Sequence, residues 1–237
     1  EKVIESRNFG RLSRSLFTSF GAEYYLTKNS SIIGNIVFNS GNDDDVNTND
    51  IERLDAQGNL NEATLRTENE GEDEKRIQYT IDYINNYDGN GKKLSINAQY
   101  STEAEDILNN ITEVDSQANI LNDLEQVIEQ QDENRALLQI DYVKPVGENI
   151  QYETGYRGNY RDIFNSFFLA ERQVFPNGLL VPDVGLNNSF KYTEFVNAAY
   201  FQYGQKFNKI SFLAGLRYEY TSIKIVQQTA STNDQRS

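Results

Sequence analysis

The residues best able to do chemistry in this chain are carboxylates, and the densest run of them is GNDDDVNTNDIE, Gly41–Glu52. Asp43, Asp45, Asn47 and Asn49 stand at alternate positions there, and oxygen ligands at such spacing can wrap Ca²⁺. Asp43, Asp45 and Asn47 are the candidate calcium ligands. The EF-hand pattern fails, with Thr48 where a glycine is required and Leu54 where a glutamate is required. A solvated acidic loop is the competing reading. A second candidate patch is aromatic: Phe164, Phe167, Phe168 and Phe175, followed by Leu179, Leu180 and Val181. Apolar side chains on an exposed loop suit ligand binding, and packing among loops uses them equally well.

Much chemistry is excluded. The chain has no His and no Cys. A Ser–His triad, a zinc site bearing His, a thiolate site and a disulfide cannot be built from it. Paired carboxylates are so frequent that no pair stands out, and no enzymatic activity is expected. No cofactor other than Ca²⁺ is expected. The formal net charge is −14 over 237 residues, concentrated in Gly41–Lys75 and Glu103–Asn134. Such a chain repels phosphates, so nucleic acid is not an expected partner.

These residues must be positioned by strands. Eight stretches read as β: Ser15–Leu26, Ser31–Ser40, Arg76–Asn86, Lys92–Thr102, Arg135–Lys144, Asn149–Asp162, Phe190–Gly204 and Lys209–Ile225. The links alternate. Thr27–Ser30, Tyr87–Gly91, Pro145–Glu148 and Gln205–Asn208 are tight turns; Gly41–Lys75, Glu103–Asn134 and Ile163–Ser189 read as long loops. Short turns at one end and long loops at the other describe an outer-membrane barrel. Each strand offers one apolar face, such as Ile77, Tyr79, Ile81 and Tyr83, and one polar face, such as Gln78, Thr80 and Asp82. The alternation covers about 10 residues, enough to cross the hydrocarbon at a tilt. The tyrosines gather toward strand ends, where an apolar ring with a polar tip suits the membrane interface. Mean hydropathy of −0.67 is compatible with this, because barrel strands show no continuous apolar run.

Asp82, Asp141, Glu153, Arg157, Arg217 and Glu219 fall on the polar faces. A closed ring of eight strands is filled by its own side chains, so these charges point to a wider, wet or plugged ring. Within the second long loop, Ile107, Ile111, Val114, Ala118, Leu121 and Ile128 lie near helical spacing. A short amphipathic helix and extensions of the flanking strands are both compatible with that spacing.

Four hairpin-like segments repeat one scheme. Leu137–Tyr160 reads LLQIDYVKPVGENIQYETGYRGNY, and Ile77–Ser101, Phe20–Phe38 and Phe190–Ser222 echo it. The Asp-Tyr-x-x-Pro of Asp141–Pro145, the Tyr-x-Glu…Ala-Ala-Tyr strand of Tyr192–Tyr200 and the Gly-Leu-Arg-Tyr-Glu-Tyr-Thr of Gly215–Thr221 resemble the outer-membrane β-barrel family of TonB-dependent receptor type. The resemblance implies an all-β, antiparallel, up-and-down transmembrane barrel in the outer membrane of a Gram-negative bacterium. It implies a ring of about 22 strands with an N-terminal plug, driven by the TonB complex. Residues 1–237 are then part of one barrel domain without a plug, and the absence of Met agrees with a processed or excised piece. The expected function is import of an iron chelate, glycan or peptide. The expected partners are outer-membrane lipid, the remaining strands and plug, the TonB complex and a surface lipoprotein. Two alternatives stand beside it: a scaffold barrel holding a protein partner through its acidic loops, and a small autonomous eight-stranded barrel.

Overall fold

The computed structural model describes residues 2–87, 91–172, 179–229 and 235–236. They form one antiparallel sheet. Eight long strands carry it: β1 (Lys2–Thr27), β2 (Ser30–Leu54), β3 (Leu60–Asn86), β4 (Lys93–Asp115), β5 (Ile120–Val146), β6 (Ile150–Arg172), β8 (Asn188–Phe207) and β9 (Ile210–Thr229). Two short ones are added, β7 (Leu180–Pro182) against the end of β6 and β10 (Gln235–Arg236) against β9. The main path is β1-β2-β3-β4-β5-β6-β8-β9-β10, nine strands instead of the eight expected. Each long strand pairs with the next, so consecutive connections lie at opposite ends, as the alternating links require.

The expected long loops are corrected. Gly41–Lys75 is the far half of β2, a five-residue turn and the equally far half of β3; Glu103–Asn134 is divided likewise between β4 and β5. β3 and β5 reach 27 residues each, about 90 Å of strand, far more than a bilayer needs. Ile107–Ile128 holds no helix. Its apolar residues are divided between two strands, a turn and both sheet faces, and cross-strand pairing with β3 and β6 satisfies their backbone instead. Residues Lys2–Arg14, assigned to no element from sequence, continue β1 beside the acidic half of β2.

Three turns, two at the tips of the β2–β3 and β4–β5 hairpins and one between β7 and β8, share one device. Asp55, Asp115 and Asp183 each begin an Asp-x-x-x-Asn stretch. The Asp55 carboxylate accepts from the Gln57 and Asn59 amides at 2.8 Å, and the Asp115 carboxylate from Gln117 and Ala118 at 2.8 and 2.9 Å. Asp183 accepts from Gly185 and Leu186 at 2.8 and 3.2 Å. An aspartate turned back on the following amides is a self-contained turn. Gly58 and Asn119, both at positive φ, reverse the first two.

Register partners share a face, which sorts the sheet in two. Ala22, Gly34, Ile81, Ala98, Leu138 and Gly158 form one row across six strands. The apolar face is the more exposed one, with Ile81 at 56% and Leu216 at 83%. Tyr79, Tyr100, Ala136, Tyr160 and Phe195 line up in a single register and form an aromatic girdle. Tyr152 lies eight residues below Tyr160 and packs against Tyr203, with ring centroids 5.3 Å apart. The separation is about 27 Å along the strand, which matches the apolar band of a barrel crossing at a tilt. No helix among the described residues is long and apolar enough to cross a membrane, which says nothing against strands.

Candidate functional site

The polar face opposite this band holds the groups that a lumen would present. Asp82, Asn97, Gln139 and Arg157 share one row, and Asp141, Gly155, Tyr200 and Arg217 share the row below. The expected inward set therefore lies on one face. Asn97 donates to Asp82 at 2.6 Å, and Tyr200 donates its hydroxyl to Asp141 at 2.6 Å. Tyr200 crosses directly over Gly155. A Cβ there would stand 2.6 Å from the Asp141 carboxylate oxygen and run into the tyrosine ring. Glycine is required at Gly155 for this close approach, because the ring occupies the space of a side chain.

Above the girdle, the same face narrows onto Glu133. Its side chain is 2% exposed. Arg135 donates to both carboxylate oxygens at 2.5 Å, and Arg161 closes from the neighbouring strand through Nε and Nη2. Burial pushes the Glu133 carboxyl up, but the hydrogen bonds and charges of the two arginines outweigh it and hold it below the ordinary glutamate range. Arg76 reaches Glu103 at 3.8 Å beside them. The three arginines, Arg76, Arg135 and Arg161, border a cavity of about 300 Å³ together with Gln78, Gln99 and Glu194. Sequence reasoning missed this clamp. Its signal was the Glu133-x-Arg135 spacing, which places both side chains on one face of a strand, but the contribution of Arg161 depends on register.

The candidate calcium ligands do not converge. Asp43, Asp45 and Asn47 run along one face of extended β2, where like-facing side chains are about 7 Å apart. Asp45 is paired with Arg11 of β1 at 3.2 Å. Asn47 borders a hollow with Arg7 and Arg66, two guanidiniums that oppose a cation. Among the described residues no cluster of three or more carboxylates is arranged to hold a metal.

The aromatic candidates are divided. Phe164 and Phe168 lie on the outer face of β6 and Phe167 on the inner face. Phe175 lies outside the described residues. Phe167 meets Glu129 in register and borders an inner cavity with Phe190. No local spacing signals this meeting, because Glu129 and Phe167 fall in different expected loops.

Comparison with known proteins gives one match. Residues 85–237 match the model of an outer membrane protein beta-barrel family. No curated protein and no solved structure matches. The matched residues include β4 through β10 and cover well over half of the chain, with Tyr100, Tyr160 and Phe195 of the girdle inside them. This chain belongs to the outer membrane protein beta-barrel family.

Proposed function

We propose that this chain is part of the wall of an energy-coupled receptor in the outer membrane of a Gram-negative bacterium. In this reading the protein imports a nutrient such as an iron chelate, a glycan or a peptide through the TonB complex. Its role is transport and not catalysis. The observation that supports it is a charged inner face that runs across eight long strands without closure. No ladder joins β1 to β9 among the described residues. Eight strands about 4.8 Å apart already span an arc of about 34 Å. In lipid every backbone group needs a partner, so such edges call for further strands. A wider ring completed by such strands holds Asp82, Asp141, Arg157 and Arg217 apart and hydrated, and leaves room for a plug. The small autonomous barrel has no support from this pairing. The Asp-Tyr-x-x-Pro and Gly-Leu-Arg-Tyr-Glu-Tyr-Thr motifs favour the receptor type.

A second reading has its own observation. The β2–β3 hairpin continues 19 residues beyond Tyr79, about 60 Å of strand, and is strongly acidic. A scaffold barrel that grips a protein partner, such as a surface lipoprotein, would use hairpins of this kind. The test uses the whole protein in its own host. A receptor binds its cargo on de-energised cells but accumulates it only while the inner membrane is energised, and conducts little in a planar bilayer. Uptake unaffected by a proton ionophore, together with a large steady conductance, would overturn the receptor reading in favour of a passive pore. Surface capture of a protein with no uptake defect in the deletion strain would favour the scaffold.

A further inference from the structure

We infer that the inner face above the girdle carries a binding site for an amphipathic organic cation, an ammonium or guanidinium group on an aromatic or aliphatic body. The inference deepens the proposed function by naming a cargo class. It rests on that reading only for onward transport, and binding itself is tested separately.

The site is a cavity of about 330 Å³. Two rows of four residues cross β4, β5, β6 and β8. One is Glu105, Gln131, Asn165 and Phe190; the next is Ile107, Glu129, Phe167 and Asn188. All eight line the cavity. The carboxylates sit on β4 and β5, and the phenyl rings sit on β6 and β8. The lining thus grades from anionic to aromatic over about 14 Å.

Glu105 and Glu129 lie within ion-pair distance of no arginine or lysine among the described residues, whereas nearby Glu103 reaches Arg76 and Glu133 is held by Arg135 and Arg161. Burial and the charges of Glu74, Glu103 and Glu129 push the Glu105 carboxyl up. An arriving cation relieves that repulsion. The rings beside it favour a ligand with an apolar body, because a cation within about 6 Å of a ring face is attracted by its quadrupole and the body buries apolar surface. A hydrated metal ion gains nothing from the rings. An anionic ligand meets Glu105 and Glu129 first, so the arginine-lined cavity below is a poorer guide to the cargo.

The experiment is equilibrium binding to the full-length protein in nanodiscs. The probes are 4-phenylbutylammonium, the neutral 4-phenylbutanol, the anionic 4-phenylbutyrate and Ca²⁺ alone. The cation is expected to bind at least about tenfold more tightly than the alcohol, and the carboxylate and Ca²⁺ not at all. The E105Q/E129Q double variant should lose that preference, and F167A/F190A should weaken the cation severalfold. D50N/E52Q removes acidic charge on β2, far from the cavity rows, and should change binding less than twofold; it also controls for folding. Equal binding of alcohol and ammonium overturns the inference, and so does unchanged binding to E105Q/E129Q. So does an equal loss in D50N/E52Q, which would mean a diffuse acidic field. Binding without energised uptake would leave this site standing and remove the receptor reading.

Discussion

Two regions of the same eight strands obey different rules. Between the short turns and the row of Tyr79, Tyr100, Tyr160 and Phe195, the outer face is predominantly apolar and the charged residues gather on the inner face. Beyond that row the ladder continues without a break, but that division ends. Leu108 and Asp106 share the outer face of β4, and Ile107 and Glu105 share the inner face. The backbone is identical in kind, so hydrogen bonding cannot be the cause. What differs is the solvent outside. Hydrocarbon demands an apolar outer face at every position, whereas water on both sides leaves each position free.

The largest test of this contrast is a charge on the outer face. Leu138→Arg, at mid-band on β5, is expected to destabilise the full-length barrel by about 2–4 kcal/mol in vesicles. Leu108→Arg, on the outer face of the extension, should cost less than about 0.5 kcal/mol. Urea unfolding of both variants checks the pair, and equal costs would remove the band boundary at the girdle.

Within the band, Gly155→Val should force Tyr200 off Asp141. The expected cost is about 1–3 kcal/mol, the range for overfilling a packed site. Tyr200→Ala in the same background should recover part of it, because the ring is what the new side chain meets. If the single variant unfolds at the same urea concentration as the parent, the tyrosine does not fill the glycine's space.

Just above the girdle, Glu133→Gln leaves Arg135 and Arg161 facing a neutral amide. Charged hydrogen bonds contribute more than neutral ones, but both arginines are nearly half exposed, so the loss is discounted to about 1 kcal/mol. Hydrogen exchange should quicken at residues 131–137 and 159–165. Protection unchanged there would make the clamp decorative.

The smallest effect is one of pH, and its sign differs between the clamp and the extensions. Burial, and then neighbouring carboxylates, raise Glu72, Glu105 and Glu125 above the ordinary glutamate range. Their folded forms hold protons more tightly than their unfolded forms, so stability is gained as pH falls from neutral through the raised values. Glu133 is depressed, so its contribution is lost only as pH falls below the ordinary range. Between pH 7.5 and 5.5 the far halves of β3, β4 and β5 should become more protected, with exchange corrected for its intrinsic pH dependence, while the clamp stays unchanged. Loosening of the extensions over that window would contradict the crowding of these carboxylates.

The extents of the strands were legible only where the membrane wrote them. Ile77–Tyr83 and Leu94–Tyr100 alternate because lipid selects one face, so their facing could be read residue by residue. The acidic halves of β2 through β5 have no such selection, and Asp, Glu and Asn are poor strand formers. They read as loops, and the helical spacing of Ile107 to Ile128 arose from residues on two strands. A usable sign was present all the same. The repeated Asp-x-x-x-Asn at Asp55, Asp115 and Asp183 marks tight turns where long loops were expected, and tight turns require strands on both sides.

By itself the sequence determined the antiparallel up-and-down order, the two faces within the band and the polar character of the inner one. Each follows from local patterning and from the solvent that each side chain must meet. Only the tertiary structure decided which residues become neighbours. Arg161 joins Glu133, Tyr200 covers Gly155, Arg11 neutralises Asp45, and Phe167 meets Glu129 across a register that no local spacing encodes. The reason is that register is set by turn length and by the sum of all pairings along two strands. A contact between residues 28 or 59 positions apart, as at Glu133 and Tyr200, is a property of the sheet and not of either segment.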